Sequence, residues 1–282
     1  MANIEHKNLL PNGHNPGFVP TEITEEQWVL GGANTIIGEP LTDGHWYAAG
    51  HVPDGERQGN PFMDSDNCTG FGYTNRVEIL WHRLFGTWRN FSDRYVGIVA
   101  GTQPPGNDPH TVAEACRKSG LIDELDLPFT DAIDTVEKFY APKPMNNNLI
   151  AKGTAFLREH TVRHEWVESD KESLKNALRF SPIGIAVIAW YKGTDGMYYF
   201  PEGIKPNHDT TLIDFEDGSF WLIFDSYPDD DGSYFKKLRW DTVFPLRSKR
   251  YAICPPSVTI SKWGLFISFI ANLFKRSQLT VQ

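Results

Sequence analysis

Residues 207–227 read NHDTTLIDFEDGSFWLIFDSY. Two strand-like runs, residues 210–215 and 219–225, are joined by Glu216, Asp217 and Gly218. An Asp-Gly step between apolar, β-branched runs is a hairpin signal. In an antiparallel hairpin, the residue that opens one strand lies near the residue that closes the next. His208 lies just before the first strand and Asp225 closes the second. The spacing therefore predicts an imidazole and a carboxylate as neighbours, and such a carboxylate fixes the tautomer of a histidine that works as a base.

Upstream, residues 184–190 (GIAVIAW) form a short apolar run and a third strand. Before it, Ser169 and Glu172 in SDKE form a capping box for a helix carrying Leu174, Ala177 and Leu178, which Ser181 and Pro182 end. A longer helix is expected from Cys68 to about Phe85, because Phe71, Thr74, Val77, Leu80 or Trp81, and Leu84 fall at helical spacing. Asp64 and Asp66 precede it and suit the positive end of a helix. Another helix runs from Pro109 to Ser119, with Asp108 as cap, Pro109 in the first turn and Gly120 as stop. Helices come first and strands later, which argues for an α+β protein with segregated layers. The first 60 residues, rich in Gly, Pro and Asn, read as an irregular arm with one short strand at residues 35–37.

The chain has 282 residues, 40% hydrophobic and 22% charged, enough for one large domain or two smaller ones. Its net charge of −9 and lack of a basic run work against nucleic-acid binding. Three cysteines are a poor number for a disulfide framework, and none has zinc-site spacing. The first residues lack a basic stretch followed by an apolar one, so no signal peptide is expected and the cytoplasm is favoured.

A thiol is a nucleophile only as thiolate, and a helix N-terminus lowers its pKa. Cys68 sits at such a start, whereas Cys116 lies inside a helix and Cys254 beside two prolines. The last two read as small buried hydrophobes. His160 and His164 are four apart, but Thr-Val-Arg between them favours a strand over a metal-gripping helix. Asp229, Asp230, Asp231 and Gly232 read as a polar turn without the spacing of a calcium loop. No metal and no cofactor is expected.

The order of a cysteine, a distant histidine and a carboxylate seventeen residues later resembles the papain-like cysteine peptidases. Arg57-Gln58-Gly59 resembles the segment that precedes the nucleophile in that family, and Cys68-Thr-Gly-Phe-Gly-Tyr the start of its central helix. Residues 172–187 resemble its helix, proline turn and first barrel strand. YYFPEGI at residues 198–204 resembles the aromatic-Gly-Ile segment before the histidine, and Asp225-Ser226-Tyr227 takes the place of Asn-Ser-Trp. The likeness spans residues 57–234. It implies a divergent member, of viral or bacterial kind, with a helical lobe, an antiparallel β-barrel-like lobe and an active-site cleft between them. In that frame residues 1–56 are an arm, 57–258 the catalytic domain and 259–282 an apolar C-terminal helix and tail. The resemblance implies Cys68 as nucleophile, His208 as base, Asp225 as the group orienting it and Gln58 as an oxyanion donor, acting on a peptide or protein substrate.

Several features depart from the family. The gap from Gln58 to Cys68, ten positions, is longer, so residues 60–67 must loop out. Asp225 replaces Asn and Tyr227 replaces Trp. No inhibitory propeptide of the usual kind is visible, and the disulfide cysteines of secreted relatives are missing. These departures leave room for an inactive peptide-binding member. Transglutaminase-like acyl transfer and peptidoglycan amide cleavage share the Cys-His-Asp order and stay as alternatives. Residues 261–276 are expected to form a helix so broadly apolar that it needs cover from its own domain, a protein partner or a lipid surface.

Overall fold

The structure, a computed structural model, describes residues 17–20, 27 and 38–255. The expected strand at 35–37 and the apolar helix at 261–276 lie outside them. The elements in chain order begin with β1 (Gly17–Phe18), α1 (Cys68–Phe85), α2 (Asp93–Val99), β2 (Gly106–Asn107) and α3 (Pro109–Ser119). After a 3-10 turn over Glu124–Asp126 come α4 (Val136–Phe139), α5 (Asn147–Glu159), β3 (Thr161–Val167) and α6 (Lys171–Leu178). The rest is mainly strand: β4 (Ile183–Val187), β5 (Tyr191–Lys192), β6 (Tyr198–Tyr199), β7 (His208–Glu216), β8 (Phe220–Phe224), β9 (Phe235–Arg239) and β10 (Ser248–Cys254).

Helix α1 is buried along its first four turns and ends at Gly86, whose φ of 68° only glycine adopts freely and whose N–H closes on the His82 carbonyl. Helix α3 has the expected cap: the Asp108 carboxylate accepts from His110 N and Thr111 N. At α6 the cap moves by one residue. Asp170, not Ser169, accepts from Ser173 N. Ser169 is drawn away, its hydroxyl donating to the Leu246 carbonyl at 2.6 Å beside Ser248. Helices α2, α4 and α5 were not expected. The first two are short, and α5 buries only Leu149, Gly153 and Phe156, a stripe too thin to stand out as periodicity.

Eight strands make one mixed sheet in the order β3-β10-β4-β7-β8-β9-β6-β5. The expected hairpin is β7–β8, with Glu216 paired to Phe220 and the turn closed by Ser219 N on the Glu216 carbonyl. The expected barrel is not met: no pairing joins the outer strands β3 and β5 among the described residues, and β6 runs parallel to β9. The far edge consists of two-residue strands, which offer too few ladder bonds to close a sheet on itself.

Helix α1 packs against β7, β4 and β10. Tyr73, Val77 and Leu80 meet Ile183, Ile185, Leu212, Ile213 and Trp221 in one apolar core. Full burial of such a side chain stabilises by roughly 1.5–3 kcal/mol. One charged contact crosses this layer. Arg76, fully buried, donates to Asp209 at 2.8 Å and to the Thr210 carbonyl at 3.1 Å. Gly184 leaves the room for it, since a Cβ there would stand 2.9 Å from the Arg76 guanidinium. The pair therefore pins the helix that begins at Cys68 to the strand that begins at His208.

Candidate active site

Cys68 is the first residue of α1 and has no exposed surface. Its Sγ accepts from the Asp209 backbone N–H at 3.4 Å. Burial pushes the thiol well above its ordinary pKa, and the Asp209 carboxylate adds to that, partly offset by the Asp209 N–H. This closed arrangement favours the thiol over the thiolate.

His208 opens β7, one residue from that N–H. Its Nε2 lies 2.6 Å from Asp225 Oδ1, and both side chains are fully buried. Its Nδ1 is buried with no hydrogen-bond partner. An Nε2–H donated to Asp225 leaves Nδ1 as the basic nitrogen of the neutral ring. No hydrogen bond joins Cys68 and His208 among the described residues.

Asp225 also accepts from Ser226 N at 2.9 Å, from Trp190 Nε1 at 2.7 Å and from the Lys236 ammonium at 3.0 Å. Burial alone would raise its carboxyl, but the charges of Lys236 and His208 outweigh that and hold it well below the usual carboxylate range. The rings of Tyr227 and Trp190 flank the imidazole, with centroids at 5.2 and 6.0 Å.

Gln58 is fully buried. Its Nε2 donates to Tyr227 Oη at 2.6 Å and to Asp64 Oδ1 at 2.9 Å, while Ser226 Oγ donates to its Oε1 at 2.7 Å. Both amide hydrogens are thus committed. The long gap to Cys68 folds as a tight loop, in which Gly59 bridges Asp64 and Asn60 N donates to the Met63 carbonyl. Ser65 N then returns to the Gln58 carbonyl at 3.3 Å.

Part of the N-terminal arm covers the thiol. Phe18 packs with Ala186 and Leu246 on Cys68. Strand β1 is held by parallel pairing with β2, and Val19 N donates to the Asn107 carbonyl at 2.8 Å. The fit is close: a Cβ at Gly17, whose φ is 109°, would stand 2.1 Å from the Asp66 carbonyl oxygen.

The four residues singled out from the sequence are therefore gathered in one buried region, with Gln58 reaching it through Ser226 and Tyr227. Lys236, Trp190 and Asp64 were missed as parts of it. Lys236 sits in FKKLR, where nothing local separates it from the exposed Lys237. His160 and His164 stay apart from the region. His160 ends α5, and His164 in β3 contacts Glu114 at 3.0 Å. Cys116 is buried and Cys254 half-buried, both free thiols. No group of three or more metal-ligating side chains among the described residues could hold an ion, and no helix among them is long and apolar enough to cross a membrane.

No protein-family model and no curated protein matches the chain. Solved structures do. Digestive procathepsin L 3 of Tenebrio molitor larval midgut superposes with a TM-score of 0.60 at 14% identity, over 84% of this chain and 76% of that one. Recombinant stem bromelain precursor gives 0.54 at 19%, over 75% and 68%. The proform of Amb a 11, a ragweed pollen cysteine protease, gives 0.55 at 17%, over 73% and 64%. Likeness at such low identity shows the fold alone, and that fold is papain-like.

Proposed function

We propose that the chain is a cysteine peptidase of the papain kind, with Cys68 as nucleophile, His208 as base and Asp225 as the residue that positions the imidazole. One observation carries this reading: the His208 ring is bound through Nε2 to Asp225 and keeps a buried, unpartnered Nδ1, beside a thiol at a helix start. In the reaction, Nδ1 takes the Cys68 proton and the thiolate adds to a peptide carbonyl carbon. The Cys68 N–H and one Gln58 amide hydrogen, freed from Asp64 or Tyr227, stabilise the oxyanion. The protonated imidazole gives its proton to the departing amine as the C–N bond breaks. Water, deprotonated by His208, then adds to the thioester and releases the acid and the thiol. The Asp225 carboxylate stays ionised throughout, as its depressed pKa requires.

A second reading, a peptide-binding protein without turnover, draws on the full burial of Cys68 and the committed Gln58 amide. Peptide hydrolysis by the wild type, Cys68→Ala, Cys116→Ala and Cys254→Ala separates the two. Loss of cleavage in Cys68→Ala alone, with an unchanged circular dichroism spectrum, is the expected result. Wild-type turnover in Cys68→Ala would remove the assignment. A wild type that neither cleaves peptides nor reacts at Cys68 with an electrophile would leave the second reading.

A further inference from the structure

Among the described residues, a cavity of about 450 Å³ opens beside the thiol. Phe18 and Ala186, which pack on Cys68, form part of its wall, as does Asp209, whose N–H meets Sγ. Trp166, Arg247 and Lys249 also line it. A side chain adjoining a carbonyl held at Cys68 would be within reach of this space.

The charges around it do not cancel evenly. Asp209 is turned onto Arg76 at 2.8 Å, and Arg247 onto Glu168. Lys249, only 1% exposed, makes no carboxylate contact within ion-pair distance among the described residues. Its ammonium stands 3.3 Å from His164 Nδ1, 3.4 Å from His110 Nδ1 and 3.5 Å from the centre of the Trp166 ring. Glu114 occupies Nε2 of His164, so the Nδ1 facing Lys249 is that ring's acceptor. Neutral nitrogens and an aromatic face hold the cation, but they do not supply a counter-charge. Its burial accordingly lowers the Lys249 pKa to about 7, although Asp108 and Glu114 lie near enough to work against that. A buried cation of this kind is stabilised by an arriving carboxylate. The apolar wall of Phe18, Ala186 and Trp166 suits the methylene stem that carries it.

We propose that this cavity receives a side chain of the peptide substrate and that Lys249 makes it select a carboxylate, Asp or Glu, over the isosteric amide. The proposal rests on the peptidase reading given above. It is tested with peptidyl electrophiles in which Asp or Asn, and Glu or Gln, is walked through the three positions before the electrophilic carbon. The full chain is used, and labelling of Cys68 is followed by intact mass. At one position the acid should label faster than its amide by roughly tenfold or more, as for a charged pair formed in a desolvated pocket. In Lys249→Met that ratio should fall toward one, and in Lys249→Arg it should persist. Equal rates for acid and amide at every position would overturn the selectivity while leaving the peptidase reading intact. Failure of every probe to label Cys68 would overturn both. If Lys249→Met does not fold, the wild-type ratio alone decides.

Discussion

Among the donors that meet Asp225 in its buried site are an imidazole, an indole and an ammonium. The ammonium sets the carboxylate apart from the amide that the papain resemblance leads one to expect. An ionised carboxylate buried against a histidine alone would be costly, and Lys236, itself buried, offsets that cost. Lys236→Met should therefore destabilise the fold by about 3–5 kcal/mol, the usual result of removing one partner from a buried pair. Urea denaturation at pH 7 measures it, and a loss below about 1 kcal/mol would mean that the pair contributes little. Gln58 stands differently, because its amide is spent on Asp64 and Tyr227. If it acts on the oxyanion, Gln58→Ala should lower turnover by about 10²–10³-fold. Turnover within twofold of wild type would assign the oxyanion to backbone N–H groups.

Four carboxyl groups meet where α1, α2, the 3-10 turn and the segment before Gln58 converge. Burial raises each of Glu78, Asp93, Glu124 and Glu56 first, and the charge of Glu56 then raises the other three, while hydrogen bonds to Asp93 and Asn90 work against the rise of Glu56 itself. None has an ion-pair partner among the described residues. Arg94, whose charge works against the rise of Glu124, spends its guanidinium on the carbonyls of Phe139, Pro128, Lys138 and Ala141. Glu124 is pushed up to about 7, and Glu78 and Asp93 well above the carboxylate range. An unfolded carboxyl titrates near pH 4. The stability tied to the Glu124 proton is thus complete below that pH and is lost as pH rises through about 7, and the raised Glu78 and Asp93 add to the loss in the same direction. Melting temperature should fall between pH 5.5 and 8, and Glu78→Gln, which keeps the acceptor for Phe91 N, should flatten the fall. A wild-type melting temperature that rises over that interval would contradict the coupling. At α6 the cap makes a separate test. Asp170→Ala should cost about 1 kcal/mol, while Glu172→Ala, whose capping-box role the structure gives no part in holding the helix start, should cost less.

At the scale of the whole chain, the segment at Gly17–Phe18 is seated on residues far from it in sequence, with Phe18 only 3% exposed against Cys68 and Ala186. Such a strap opens at a free energy below that of global unfolding. Phe18→Ala removes the apolar contact, a change worth about 3 kcal/mol or more in a core. Each ~1.4 kcal/mol taken from closure gives about tenfold more open molecules. The rate at which iodoacetamide alkylates Cys68 should then rise by about a hundredfold, with the melting temperature little changed. An unaltered rate would show that Phe18 does not limit access to the thiol.

Local chemistry was readable in the sequence because it depends on neighbours along the chain. The spacing of Phe71, Thr74 and Val77 marks α1, Asp108 and Gly120 bound α3, and Asp217-Gly218 turns β7 into β8. The hairpin alone brings His208 onto Asp225, so that contact could be read from 207–227. The cap of α6 was misread by one residue, because Leu246 and Ser248, far along the chain, compete for the Ser169 hydroxyl. The open sheet, the placing of Lys236 on Asp225, the commitment of Gln58, the seat of Phe18 on Cys68 and the isolation of Lys249 were decided only in three dimensions. Periodicity states which face of an element is buried, and turn residues state where the chain reverses. Neither states which elements meet, and desolvation and charge pairing arise only where they do.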